Sequence, residues 1–192
     1  MSLDYPKQSK LKRNGLITMI LLLGMTAPLS TDMYLAAFPT ILKDFGTTTQ
    51  LLNYTLVGFF IFFALGILFI GPLSDKYGRK PVLLSGLVLY LISSLLCALS
   101  MNIEMLITFR ITQAIGAGAM VSVSTAIVKD SFNDTERPRI IALIQMLSVL
   151  APTLAPVIGA MIIKYVNWQM TFVVLGFISI VSIVIALLFE ET

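Results

Sequence analysis

Histidine is absent from the chain, and cysteine occurs once, at Cys97. The first absence removes the commonest metal ligand and the usual base of a catalytic triad. The second excludes an internal disulfide framework. Charge is also scarce: 12% of the 192 residues are Asp, Glu, Lys or Arg, against about 25% in soluble domains. That is too little to keep a globular surface wet. No P-loop occurs, so direct use of ATP has no support, and the Gly78–Arg79 turn lacks the pattern needed for phosphate capture. No metal, cofactor or catalytic constellation is expected, and the chain is read as a non-enzyme.

What remains is oily. Hydrophobic residues make up 57% of the sequence, and mean hydropathy is +0.94. A helix crossing a bilayer needs roughly 20 mostly apolar residues. Six segments qualify, at Leu16–Leu42, Leu51–Ser74, Pro81–Ser100, Met105–Lys129, Arg139–Lys164 and Thr171–Phe189. The spacing predicts an all-α membrane protein, with a basic tail over 1–15, a six-helix bundle over 16–189 and a short end over 190–192. The tail resembles a signal-peptide n-region, but the apolar stretch behind it outruns the usual ~7–15 residues, so a retained first helix is expected. The net charge of +3 is a topology signal rather than a nucleic-acid one, because the cations cluster at segment ends. Ten Lys and Arg residues fall on the side holding the termini, and only Lys43 and Lys164 on the other. The asymmetry predicts cytoplasmic termini. Trp168 and Tyr165 are expected in the outer aromatic belt, and the short turns near Asn102 and Val166 predict antiparallel neighbours on either side.

The six segments divide into two triplets. Segments one and four each carry an intramembrane charge, Asp32 and Arg110. Segments two and five are broken by Gly or Pro, and three and six are uncharged, as lipid-facing spans should be. Such a three-plus-three pattern is how transporter halves are built. A charged carboxylate near the bilayer middle costs several kcal/mol unless paired, hydrated or protonated. Asp32 is therefore either a proton carrier or a structural group bonded to Thr31 or a freed amide near Pro28. Arg110 is at a depth that allows pairing with Asp32 if segments one and four touch, and a purely structural pair is the alternative. Gln113, Ala117, Val121 and Ser124 follow Arg110 on one face, a stripe suited to a cavity wall. Ala114, Gly118, Ser122 and Ala126 make a small-residue stripe suited to close helix packing. Between segments two and three, Gly78 permits a tight turn, Pro81 suits the first position of the next helix, and Asp75 is placed to hold Arg79 or a neighbouring helix start.

These residues resemble a known family. Gly71-Pro-Leu-Ser-Asp75-Lys-Tyr-Gly78-Arg79-Lys80 is similar to the loop signature of the major facilitator superfamily. Arg110-Ile-Thr-Gln113-Ala-Ile-Gly116-Ala-Gly118 resembles its fourth-helix motif. Ser30-Thr-Asp32-Met-Tyr34-Leu-Ala-Ala-Phe-Pro39 resembles the first-helix motif of the bicyclomycin and chloramphenicol resistance branch. Ala151-Pro152-Thr-Leu-Ala155-Pro156-Val-Ile-Gly159-Ala160 is similar to the fifth-helix antiporter motif. Ala155 and Ala160 stand where that motif has glycine, and Ala36 where the branch has proline.

The resemblance implies an alternating-access drug:proton antiporter of the bacterial inner membrane, exporting small lipophilic or cationic compounds. Asp32 and Arg110 would couple protons, and Tyr34, Asn53, Gln113 and Ala117 would wall the substrate cavity. Gly71, Asp75, Gly78, Arg79 and Lys80, with Asp130, would latch the cytoplasmic side. Pro152, Pro156 and Gly159 would shape the fifth-helix interface. Family members have about twelve helices, so a parallel homodimer or a missing C-terminal half is expected to complete the unit. A non-transporting isolated half, and a facilitator or symporter of another solute, are the alternatives.

Overall fold

A computed structural model describes Leu11 and residues 13–191. The expected tail cations Lys7, Lys10 and Lys12 lie outside the described residues, as does Thr192. Six helices follow one another: α1 (Arg13–Phe45), α2 (Thr49–Tyr77), α3 (Arg79–Ala98), α4 (Ile103–Ser131), α5 (Arg137–Tyr165) and α6 (Gln169–Leu188). All six are long and apolar enough to cross a membrane. Their ends differ from the expected spans by one to three residues. The far-end turns carry ordinary caps: the Leu51 N–H donates to Thr48 Oγ1 at 3.3 Å, and the Met105 N–H to Asn102 Oδ1 at 2.8 Å. Each satisfies an amide that a helix start leaves unpaired. Five prolines sit inside α1, α2 and α5, as membrane helices tolerate where neighbours cover the freed backbone.

Packing is set by small residues that let backbones meet. Gly66 of α2 lies against the Ile115 carbonyl and Gly118 Cα of α4; Gly159 of α5 lies against the Met33 carbonyl and Ala36 Cβ of α1. Each glycine thus meets residues i and i+3 on the first helix of the other triplet. The two contacts correspond, and they give the three-plus-three pattern a physical form. α3 and α6 pack on each other and on α4 and α1, closing the core, with the Ser179 hydroxyl donating to the Leu87 carbonyl at 2.9 Å.

Several expectations change. α5 and α6 share a short turn but pack little on each other, because Gly159 seats α5 on α1 while α6 is matched to α3. α2 and α5, rather than α3 and α6, are the least covered helices. They stand as two wings with no mutual packing among the described residues, each fastened chiefly to one partner. Trp168 is not at a lipid surface: it is wholly buried, donates from Nε1 to Asp44 Oδ2 at 2.8 Å and packs edge-on against Phe45 and Phe172. Tyr165 does remain exposed. Helix α3 includes Arg79 and Lys80, so Pro81 is its third residue and not its first.

The glycine contacts differ in tightness, which gives a test. A Cβ on Gly116 would lie 2.8 Å from both the Gly86 carbonyl oxygen and the Tyr90 nitrogen, which are backbone atoms that cannot yield. A Cβ on Gly176 would meet nothing closer than 3.4 Å. Gly116→Ala is expected to destabilise the bundle by about 1–3 kcal/mol. Gly176→Ala should be neutral or stabilising by up to roughly 1 kcal/mol, since helical glycine carries an entropic cost. Reversible unfolding in mixed micelles measures both, and equal responses would contradict the close α3–α4 seam.

Candidate functional site

Arg110, on α4, has no exposed surface. Its Nη1 donates to Ser30 Oγ at 2.8 Å and to Gln113 Oε1 at 2.8 Å, with a longer 3.4 Å contact to the Ser30 carbonyl. Gln113 in turn donates to Ser94 Oγ at 2.7 Å. The guanidinium carbon lies 4.2 Å from the Phe59 ring centre, 4.6 Å from that of Tyr34 and 5.8 Å from that of Phe172. Desolvated cation–π contacts of this kind are worth about 2 kcal/mol or more. Tyr34 shares a 2.7 Å hydrogen bond with the Thr55 hydroxyl, which itself donates to the Leu52 carbonyl. Nε and Nη2 of Arg110, and the Tyr90 hydroxyl, have no partner among the described residues. The cation is therefore held by neutral dipoles and ring faces, and no ion pair forms on it among the described residues.

Asp32 occupies a different environment. It is half-buried, and among the described residues no ion pair or hydrogen bond forms on its carboxylate. The pairing with Arg110 expected from depth is not formed. At 3.6 residues per turn, Ser30 and Tyr34 share one face of α1, and Asp32, midway between them, projects from the opposite face. Arg110 sits on the Ser30–Tyr34 face, so the body of α1 separates the two charges. The structural alternative for Asp32 is absent too, since the Thr31 hydroxyl donates to the carbonyls of Ala27 and Pro28.

The face that carries Asp32 borders a half-open cavity of about 400 Å³, within the usual range for small-molecule sites. Its walls come from Pro28 and Thr31 of α1, Phe59, Phe60 and Phe63 of α2, Val121 of α4, and Ser148 and Pro152 of α5. Phe59 and Phe63 stack with centroids 6.1 Å apart. A second cavity of about 520 Å³ runs from there toward the end where α1 begins, past Gly71, Asp75, Arg79, Lys129 and Arg137. Val121 lines both. The two cavities adjoin at Val121 between the wings, with the Asp32 carboxylate, unpartnered among the described residues, in one and charged groups in the other.

The remaining candidates are scattered. Gln113 and Ala117 are wholly buried behind the α1–α4 seam, and Tyr34 is too; Asn53 is exposed and outside the Asp32 cavity. The loop residues do cluster. Arg79 bonds Asp75 at 2.5 Å, Asp130 at 2.9 Å and the Ser74 hydroxyl at 2.6 Å, joining the ends of α2 and α4. A Cβ on Gly71 would touch Ser122 Oγ of α4. Lys80 turns away to α6. Gly159 packs beside Asp32 on Met33, Pro152 lines the cavity, and Pro156 borders an outer furrow of α5. Ser30, Ser94, the three α2 phenylalanines and Glu191 were not singled out by sequence. For Ser30 a signal existed, since its four-residue spacing from Tyr34 marks the face opposite Asp32.

A family model described as Major Facilitator Superfamily matches residues 20–192. The chain belongs to that superfamily. It is 36% identical over 182 residues to an uncharacterized MFS-type transporter of Bacillus subtilis, covering 92% of this chain and 45% of that protein. A multidrug resistance protein of Citrobacter koseri is 34% identical, over 76% of this chain and 37% of its own length. A chloramphenicol resistance protein of Pseudomonas aeruginosa is 34% identical, over 85% of this chain and 40% of its own. The chain spans less than half the length of these relatives. Membership of a transporter superfamily, with six apolar spans, makes this a multi-pass membrane protein and points to transport rather than catalysis.

Because α1 separates the two charges, their effects on stability should be independent. Arg110→Lys is expected to cost about 1–3 kcal/mol, since an ammonium cannot both bond Ser30 and Gln113 and lie across the rings. Combined with Asp32→Asn it should be additive within about 0.5 kcal/mol. Unfolding of the two single variants and the double variant measures this, and a coupling well above that would reinstate the ion pair.

Proposed function

We propose that this chain is one half of a proton-coupled antiporter of the bacterial inner membrane, exporting small lipophilic or cationic compounds. The observation that carries the reading is the unpaired Asp32 carboxylate facing an open cavity walled by Phe59, Phe60 and Phe63. A lone carboxylate in a low-dielectric site demands either a proton or a cation. Aromatic faces beside it favour a cation on a lipophilic frame. Proton and substrate then compete for one group, which couples their opposite movements. The furrow toward the Asp75–Arg79 loop is the access route from one side of the membrane. The excess of Lys and Arg at that end supports placing it in the cytoplasm.

Arg110 contributes through the packing of α1 on α4 rather than by holding Asp32 directly. The Arg79 bonds to Asp75 and Asp130 fix the mouth of the furrow while it faces the cytoplasm. A second six-helix unit in the same orientation is required to cover the wings α2 and α5 and close the cavity from the other side. A second copy of this chain, arranged as a parallel dimer, and a separate C-terminal half both meet that requirement.

Binding of tetraphenylphosphonium to the purified chain in lipid nanodiscs tests the competition. Affinity is expected to rise with pH, by up to about tenfold per unit while Asp32 is protonated. In Asp32→Asn that dependence should vanish while the protein stays folded. In proteoliposomes carrying the completed unit, the same substitution should abolish efflux driven by a pH gradient. Binding of the cation with the wild-type pH dependence in Asp32→Asn would remove Asp32 from the mechanism.

A further inference from the structure

The start of α3 leaves amides that its own preceding turn does not cap: Gly78 occupies the N-cap position and brings no side chain. Their acceptor comes from the other end of the sequence. The Glu191 carboxylate, just past α6, accepts the Arg79 N–H on Oε1 and the Lys80 N–H on Oε2, the latter at 3.0 Å. The reverse contact is made by the Lys80 ammonium, which donates to the carbonyl of Leu187 at 2.9 Å and to that of Phe189. These are the carbonyls that the end of α6 leaves unpaired. An acid therefore sits on the helix start and a cation on the helix end, the arrangement both helix dipoles favour. No ion pair links Glu191 to Lys80 among the described residues. Gly78 is fitted to this contact twice over. Its φ of +96° suits glycine, and a Cβ there would lie 2.9 Å from the Glu191 carboxylate.

We propose that Glu191 is a positioning residue for the Asp75–Lys80 loop and that it acts by reciprocal helix capping with Lys80. By holding the Arg79 amide, Glu191 sets the start of α3 so that the Arg79 side chain reaches Asp130 and Asp75. The end of α6 and the latch across α2 and α4 become one mechanical unit. Displacement of the backbone at Glu191 is thereby delivered to Arg79, and loosening of the loop is delivered to α6. This inference does not rest on what the Asp32 cavity binds.

The test uses the full chain in lipid nanodiscs, with Cys97→Ser and an exposed reporter, Tyr77→Cys. Hydrogen exchange at Arg79 and Lys80, and thiol labelling at position 77, read the loop; thermal unfolding reads the whole fold. Glu191→Ala is expected to speed exchange of those two amides by about tenfold or more and to accelerate labelling, with little change in the unfolding midpoint. Glu191→Gln, which keeps an acceptor oxygen, should recover part of the protection. The deciding variant is the charge swap Glu191→Lys with Lys80→Glu. A simple ion pair would be restored by the swap. Reciprocal caps would not, because each charge would then face the wrong helix end, so the loop should remain as open as in Glu191→Ala. Restoration of wild-type exchange by the swap would overturn the proposal, as would unchanged exchange in Glu191→Ala.

Discussion

A lipid bilayer offers no partner to a charge, and the fold is organised around two different answers to that constraint on either side of α1. On one face the Arg110 guanidinium is sealed among Ser30, Gln113 and the rings of Tyr34 and Phe59. On the other, Asp32 has no partner among the described residues and stands at the wall of an open cavity. A cation that cannot lose its proton in a protein is held by fixed dipoles at Nη1 and by ring faces, with Nε and Nη2 unpartnered among the described residues. Under the proposed function, a carboxylate, which can gain a proton, is left where its partner can come and go. The division of labour follows from the chemistry of the two groups, and α1 is the partition that keeps them from cancelling each other.

The partition works because neighbouring helices approach it closely at small residues and stand away elsewhere. Gly159 draws α5 onto α1 at Met33 and Ala36, next to Asp32, and Gly66 draws α2 onto α4 in the corresponding way. The wings are thereby pinned to different partners and held apart, and the furrow between them is the space left over. Phe59 borders both environments, touching the Arg110 cation and lining the Asp32 cavity. At the mouth, Arg79 ties α2 to α4 while Lys80 and Glu191 tie α3 to α6. Adjacent residues of one loop thus serve two separate seams.

The sequence was readable where a single variable decides the outcome. Bilayer thickness sets span length, so all six helices were placed to within three residues, and family membership followed from four short motifs. It was less readable where angle matters as well as depth. Asp32 and Arg110 lie at a common depth, but a two-residue offset from Ser30 to Asp32 turns the side chain to the far side of the helix. The same limit applies to Trp168, whose position at a helix end suggested lipid until Asp44 supplied a partner for its indole N–H. The pairing of α5 with α1 over its sequence neighbour α6 depends on a glycine matching a distant backbone, which no local pattern reports. Glu191 escaped notice because capping across more than a hundred residues leaves no local spacing to read.

The central claim is that α1 divides an open cavity, with Asp32 on its wall, from a sealed environment around Arg110, and thiol accessibility tests it most directly. In a Cys97→Ser background, single cysteines at Asp32 and at Ser30 would be exposed to a small hydrophilic maleimide in lipid nanodiscs, with folding verified for each. Position 32 is expected to react readily. Position 30 should stay unreactive until the protein is denatured. Equal labelling at the two positions, or labelling confined to position 30, would contradict the account.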